Sequence, residues 1–178
     1  MQKKEPGFAV WITGLPASGK STLATALAEK LAAEGVPVQV LESDAMRLLL
    51  TPDLGYGRAD REHFYHLLVV VGELLTSNGV NVIFDATAAQ RRFREEARRR
   101  LPRFMEVYVH CPLEVCEHRD PKHIYEKAHQ GLYTEVPGVQ IAYEPPQNPE
   151  VTVDTVKRGI AEEVSAVLAE LRRRGFIG

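Results

Sequence analysis

"FAVWITGLPASGKSTLATALAEKLAAEG", residues 8–35, joins a strand, a loop and a helix in one segment. Residues 8–14 are almost wholly apolar, the pattern of a strand covered on both faces. "GLPASGKS", residues 14–21, matches the G-x-x-x-x-G-K-[ST] phosphate loop. Leu23, Leu27 and Leu31 then fall on one face of a helix that stops at Gly35, a residue suited to a left-handed helix end. A strand before the loop and a helix after it are the context that makes it a phosphate site. Gly14 and Gly19 let the backbone curl so that its amides point at phosphate oxygens, and the helix start adds its positive end. Lys20 supplies charge to the outer phosphates, and Ser21 a hydroxyl for magnesium.

Outward from this segment the alternation continues. "VPVQVLE" (36–42), "VNVIFDA" (80–86), "FMEVYVHC" (104–111) and "VTVDT" (151–155) read as further strands. "REHFYHLLVVVGELLTSNG" and "VKRGIAEEVSAVLAELRRRG" read as helices ending at Gly79 and Gly175. Arg172, Arg173 and Arg174 close the last helix where its dipole favours cations. Strands alternating with crossover helices predict an α/β fold: a three-layer α/β/α sandwich on a five-stranded parallel sheet, of the P-loop nucleoside triphosphate hydrolase and kinase type. One domain is expected over residues 1–178. Residues 112–150 carry six prolines, at 112, 121, 137, 145, 146 and 149. They open with a short helical pattern and then read as a mobile functional loop, with a lid at about 118–150.

A chain of 178 residues, 44% of them hydrophobic, can bury one ordinary core. Its formal charge of -2 gives no overall basic field to gather nucleic acid. The arginines at 91, 92, 94, 98, 99 and 100 read as a solvated helix face. Cys111 and Cys116 suit neither a zinc knuckle nor a redox pair, so they read as buried or idle thiols in a reducing cytoplasm. No apolar stretch approaches the roughly 18 to 20 residues that span a bilayer, so no membrane partner is expected. "MQKKEPG" lacks the apolar core of a signal peptide.

Ligands of a parallel sheet bind beyond the carboxyl ends of its strands. Those ends carry the phosphate loop, "ESDAMR" (42–47), Asp85, His110 with Cys111, and Asp154 with Thr155. Asp44 and Asp85 therefore face the nucleotide crevice, and either can hold a magnesium-bound water or orient an attacking hydroxyl. The competing role for each is a helix cap, with Ser43 or Asp44 capping "AMRLLL". No Asn-Lys-x-Asp segment is present to read guanine, and Asp85 precedes Ala86 rather than the glutamate of a motor ATPase. A small-molecule kinase remains, whose lid must exclude water so that a hydroxyl takes the phosphate. Arg119, Lys122 and Lys127 lie in the lid to meet phosphate charge.

The phosphate loop, "ESDAMR", "GYGRADRE", "PLEVCEHRDPKHIYEKA" and "YEPPQNPE" together resemble the adenylylsulfate kinases. That resemblance runs from about Phe8 to Thr155. It implies an ATP- and magnesium-dependent kinase of the 3'-hydroxyl of adenosine 5'-phosphosulfate. It implies that Gly14, Leu15, Pro16, Ala17, Ser18, Gly19, Lys20, Ser21 and Thr22 hold the ATP phosphates and that Arg119 lies against the adenine. On the acceptor side it assigns Asp44 to the hydroxyl, Arg47, Arg61 and Arg91 to the phosphosulfate, and Tyr56 to packing on the acceptor. Lys127 is a lid lysine over the phosphates. Many kinases of that family are dimers, so a homodimer is among the expected assemblies.

The departures gather on the acceptor side. The family's Asp-Gly-Asp is Glu42, Ser43 and Asp44 here, and its Glu-Asn-Ile-Arg-Arg becomes His63 to Leu67. Its Ser-Pro-Tyr-Arg becomes Ala88 to Arg91, and the aromatic of its Phe-Thr-Gly-Ile-Asp becomes Val136. Each charge-assisted hydrogen bond is worth roughly 1.5 to 3 kcal/mol. The losses therefore require replacements, with His66 and Lys127 as candidates, or else a different nucleotide-derived or sugar acceptor. A nucleotide-binding module that regulates a partner is the non-enzymatic alternative.

Overall fold

Residues 5–178 are described by a computed structural model, and the first four residues of the amino-terminal segment read above lie outside them. Five strands, β1 (Ala9–Thr13), β2 (Val38–Glu42), β3 (Asn81–Asp85), β4 (Phe104–His110) and β5 (Val151–Asp154), form one parallel sheet in the order β2-β3-β1-β4-β5. Side chains alternate across each strand. Val10 and Ile12 join Leu23, Leu27 and Leu31 of α1 (Lys20–Ala33) and Val164, Val167 and Leu171 of α7 (Ile160–Arg173). Ala9 and Trp11 point the other way, to Phe64, Tyr65 and Leu68 of α3 (Arg58–Ser77) and Phe93 of α4 (Arg91–Arg100). With a helical layer on each side the central strands β1, β3 and β4 are buried almost throughout, which is why they read as continuous apolar runs, whereas the edge strands β2 and β5 expose Gln39 and Thr152. The expected three-layer sandwich is the fold observed.

The two cores differ in character. The α1 and α7 side is aliphatic apart from Phe8 stacked on Phe176, whereas the other holds Trp11 stacked on Phe84 at 4.6 Å and Tyr65 on Phe93 at 4.7 Å. Gly35, Gly79 and Gly175 follow their helices at φ of 76°, 76° and 66°, the left-handed stops read from the sequence.

The arginine run is not a solvated face. Arg94 is buried, its Nε donating to Glu106 Oε1 at 2.7 Å while its two terminal nitrogens donate to the carbonyls of Ala88 and Glu144. Arg98 holds Glu150 at 2.5 and 2.8 Å, and Arg100 pairs with Glu73. Only part of the run, including Arg92 and Arg99, faces water. Helix α4 is so polar because its basic residues clamp acids on α3, on β4 and in the segment before β5.

Residues 112–150 are also more ordered in pattern than a mobile loop. They contain α5 (Leu113–Arg119) and α6 (Ile124–His129), and a small core of Cys111, Cys116, Tyr125, Ala128 and Val136 packs them on Leu15 and Ala17 of the phosphate loop. Both cysteines are free and buried, as the sequence suggested. Burial pushes the Cys116 thiol far above its ordinary range, as befits an inert thiol. Beyond α6, Gln140 knits the chain by accepting from Val136 N at 2.8 Å and donating to the carbonyls of Ala128 and Tyr133.

Removing one partner of a buried ion pair strands the other charge, at a cost of about 3 to 5 kcal/mol. Arg94→Ala is therefore expected to lower the unfolding free energy by that order in urea denaturation, whereas Arg99→Ala on the exposed face should change it by less than about 0.5 kcal/mol. Equal effects would remove the structural role given to Arg94.

Candidate active site

Gly19 holds the loop at φ 108°, a left-handed conformation, and a Cβ there would sit 3.1 Å from Thr155. At Gly14 a Cβ would meet the Val109 carbonyl at 2.6 Å. Between the two glycines the carbonyls are tied from behind. Lys20 Nζ donates to Leu15 O at 2.8 Å, Tyr125 Oη to Pro16 O at 2.9 Å, and Thr155 Oγ1 to Ser18 O at 2.9 Å. Ser18 N donates to Leu15 O at 3.2 Å, and with those carbonyls held the other loop amides are left for a ligand. Helix α1 starts at Gly19 with no side-chain cap and no acid in its first turn, so its free N–H groups and positive end fit an anion.

Asp85 stands at the end of β3, next to the loop strand, in register with Ile12 on one side and Glu42 on the other. It is buried, and burial raises its carboxyl above the usual range, with the Ser21 hydroxyl and the Lys20 ammonium pulling the other way. Lys20 is itself buried, which lowers its pKa, with Asp85 the largest opposing influence. Asp85 caps no helix: α4 begins six residues later, behind Gln90. The turn after it is instead clamped by other elements. Trp11 Nε1 donates to Ala86 O at 3.0 Å, Thr13 Oγ1 to Thr87 O at 2.6 Å, and Ala88 N to Tyr65 Oη at 3.0 Å. Ala88 sits at φ 41°, a left-handed conformation unusual for alanine. Those clamps present Asp85 in one place.

Asp44 lies in the first turn of α2 (Ser43–Leu50), yet the cap of that helix is Glu42, whose carboxylate accepts from Ala45 N at 2.7 Å. The capping roles considered for Ser43 and Asp44 are thus filled by their neighbour. Asp44 is more than half exposed and pairs with Lys122 at 2.7 Å.

A cleft of about 1000 Å³ collects these groups. Gly19, Lys20, Ser21, Thr22, Asp85 and Arg119 line its phosphate end; Asp44, Arg47, Tyr56 and Arg61 line the other. Arg47 is buried between the rings of Tyr56 (4.6 Å) and Phe64 (4.1 Å) and donates to Gly55 O at 3.1 Å. Arg61 donates to the carbonyls of Tyr56 and, across the lid, of Glu135, at 2.5 and 2.7 Å. Arg119 is held by Thr155, with Nη1 at 3.1 Å from Oγ1 and Nη2 at 3.0 Å from the carbonyl.

Two residues assigned by resemblance lie elsewhere. Arg91 donates through Nε and Nη2 to Pro145 O and does not line the cleft, because the chain before β5 folds back over the start of α4. Lys127 sits 5.1 Å above the Tyr133 ring, outside the cleft lining. His66, considered as a replacement donor, turns to Glu96 on α4 at 2.8 Å. Reading the sequence missed Tyr65, Thr87, Leu132 and Tyr133, which do line the cleft. Leu132 and Tyr133 stay exposed on the lid, and their only sequence signal was an apolar pair between polar neighbours.

Magnesium suits the donor set. Ser21 offers a hydroxyl, and Asp85 beside it a carboxylate able to hold a coordinated water. Among the described residues no three His, Cys, Asp or Glu side chains gather as a metal cage. Magnesium needs none, since it keeps waters and takes oxygens from substrate phosphates.

Residues 6–154 match the family described as adenylylsulphate kinase. An adenylyl-sulfate kinase of Synechococcus sp. (strain JA-2-3B'a(2-13)) is 43% identical over 171 residues, covering 96% of this chain and 98% of its own. A probable adenylyl-sulfate kinase of Pyrococcus abyssi is 41% identical, covering 96% of this chain and 98% of its own. Among solved structures, the Mycobacterium tuberculosis APS kinase in complex with AMPPNP and APS superposes with a TM-score of 0.89 at 36% identity, over 94% of this chain and 98% of that one.

A carboxyl whose pKa is raised by folding stabilises the fold only while it stays protonated, so that contribution is lost as pH rises through the raised value. Asp85→Asn keeps the shape and removes the buried charge. It is expected to raise the melting temperature of the ligand-free protein at pH 8, with a gain that shrinks as pH falls through the raised value toward the ordinary carboxylate range. A melting temperature unchanged or lowered at pH 8 would show that the burial penalty of Asp85 does not exceed the support its charge gives buried Lys20.

Proposed function

Because the chain belongs to the adenylylsulphate kinase family, we propose that it is an ATP-dependent kinase transferring the terminal phosphoryl group to the 3'-hydroxyl of adenosine 5'-phosphosulfate. The observation that carries this reading is the cleft itself, in which a braced phosphate loop faces Asp44, Arg47, Tyr56 and Arg61 under a lid.

The protein's part in such a reaction is positioning and charge. Lys20 exchanges the Leu15 carbonyl for the outer phosphates. Asp44 accepts a hydrogen bond from the acceptor hydroxyl, aligning its oxygen. The new P–O bond forms as the bond to the ADP oxygen breaks, and the hydroxyl proton leaves on the Asp44 side. Arg47, already stripped of water between two rings, meets the acceptor's charge with little screening. Ser21, and Asp85 through water, would hold magnesium, whose charge when bound would neutralise that of the phosphates. Arg61 supplies the second acceptor cation, Arg119 faces the nucleotide base, and Tyr56 offers a planar surface.

The acceptor half carries fewer free donors than the resemblance implied, because Arg91 is engaged outside the cleft, as are His66 and Lys127, the candidates to replace lost donors. That favours keeping another nucleotide-derived or sugar hydroxyl as the second reading. We place the enzyme in the cytoplasm, where its two free thiols stay reduced, and propose a homodimer, for which Leu48 and Leu49 on α2 offer exposed apolar surface.

ADP release from magnesium and ATP is expected to depend on adenosine 5'-phosphosulfate, and Lys20→Ala should cut kcat by roughly 10²- to 10³-fold while leaving the circular dichroism spectrum unchanged. Release driven by a different hydroxyl in a nucleotide and sugar panel would select the second reading. An active Lys20→Ala protein would remove the mechanism.

A further inference from the structure

A lid cation and the acceptor-side acid are already partners. Lys122 Nζ lies 2.7 Å from Asp44 Oδ2 and 4.0 Å from Glu42 Oε1, joining the turn after α5 to the start of α2. All three side chains line the cleft. The same ammonium also bears electrostatically on Lys20 and Asp85 at the phosphate end. Lys122 therefore stands between two places that attract it, one acidic in the protein and one where phosphates bind.

The backbone beneath it is fixed. The Asp120 carboxylate accepts from Ile124 N at 2.7 Å and Glu126 N at 2.9 Å, and His123 N donates to Asp120 O at 3.0 Å. Tyr125 anchors the next turn to the phosphate loop. With its root held on both sides, Lys122 changes partner by rotating its flexible side chain rather than by moving the lid.

We propose that Lys122 is a positioning residue that trades partners: Asp44 holds it in the free enzyme, nucleotide phosphates draw it away, and Asp44 is thereby released to the acceptor hydroxyl. The exchange makes the acceptor carboxylate available only once the donor is in place. It is an easy trade, since both side chains are more than half exposed and a pair of that kind shifts an equilibrium by only about two- to five-fold. The role given to Asp44 rests on the reading under the preceding heading, whereas the lysine exchange is tested with nucleotide alone.

The experiment is a double-mutant cycle on the Kd of a non-hydrolysable ATP analogue with magnesium, using Lys122→Ala, Asp44→Asn and the double variant. Exchange predicts that Asp44→Asn, by freeing the lysine, tightens binding about three-fold. It also predicts that Lys122→Ala weakens binding, and that Asp44→Asn adds nothing in the Lys122→Ala background. Equal tightening in both backgrounds would mean that Asp44 acts through its field alone, and no tightening in either would mean that it does not restrain the lysine; each result overturns the proposal. A parallel titration with adenosine 5'-phosphosulfate should show the analogue strengthening acceptor binding in the native protein and much less in Lys122→Ala, and full strengthening in the variant also overturns it. A native protein that binds no adenosine 5'-phosphosulfate in any state sinks the acceptor reading, while the nucleotide cycle still decides the lysine.

Discussion

A ring of backbone amides that faces inward has to be kept open when nothing fills it. One turn hydrogen bond, from Ser18 N to Leu15 O, closes residues 15–18, and donors from elsewhere hold the carbonyls of the curve. Those donors arrive from three regions: Lys20 at the start of α1, Tyr125 on α6 and Thr155 just past β5. Lys20 lines the cleft, Tyr125 sits on a lid helix and Thr155 also holds cleft-lining Arg119, so the loop's shape and the site's assembly are one problem. The sheet order serves the same end. Placing β1 between β3 and β4 puts the loop beside Asp85 on one flank and beside the root of the lid on the other.

The two halves of the cleft are held with unequal firmness. At the phosphate end Asp85 is followed by a turn clamped from β1, α3 and α4, and buried Arg94 belongs to that clamp through Ala88 O. The acceptor end is built from one buried arginine between two rings, one arginine spanning to the lid, and exposed aromatic and aliphatic side chains. Interactions of the second kind are adjustable. A donor site of fixed geometry with a more yielding acceptor site is what allows phosphate-loop kinases to keep one chemistry while the accepted hydroxyl varies.

Much of this was legible in the residues, for reasons that can be named. Strand positions followed from apolar runs because both sheet faces are covered, and helix ends followed from glycines that adopt left-handed stops. The phosphate loop was legible because it is local: one contiguous segment makes it. Misreadings came where the deciding partner is far along the chain. Arg94 looked solvated because Glu106 and Glu144 lie 12 and 50 residues away, and the role that resemblance gave Arg91 met a fold-back at Pro145 that nothing local announces. Asp44 and Glu42 show the reverse, in that a cap only two residues distant was overlooked because serine and aspartate are the commoner choices.

The hydrogen bond from Tyr125 to the Pro16 carbonyl ties the first part of the lid to the loop it covers. A cover fastened to its own floor cannot swing away as one flap. Travel is left to residues 131–135 just beyond α6, since Tyr143, Glu144 and Pro145 farther on are held by Thr13, Ala89, Arg91 and Arg94; Arg61 donating to Glu135 O joins that short segment to the loop bearing Tyr56. Traffic through the cleft is therefore lopsided, with a nearly immovable gatepost on the nucleotide side and, on the acceptor side, a short flap that Arg61 fastens to the loop bearing Tyr56.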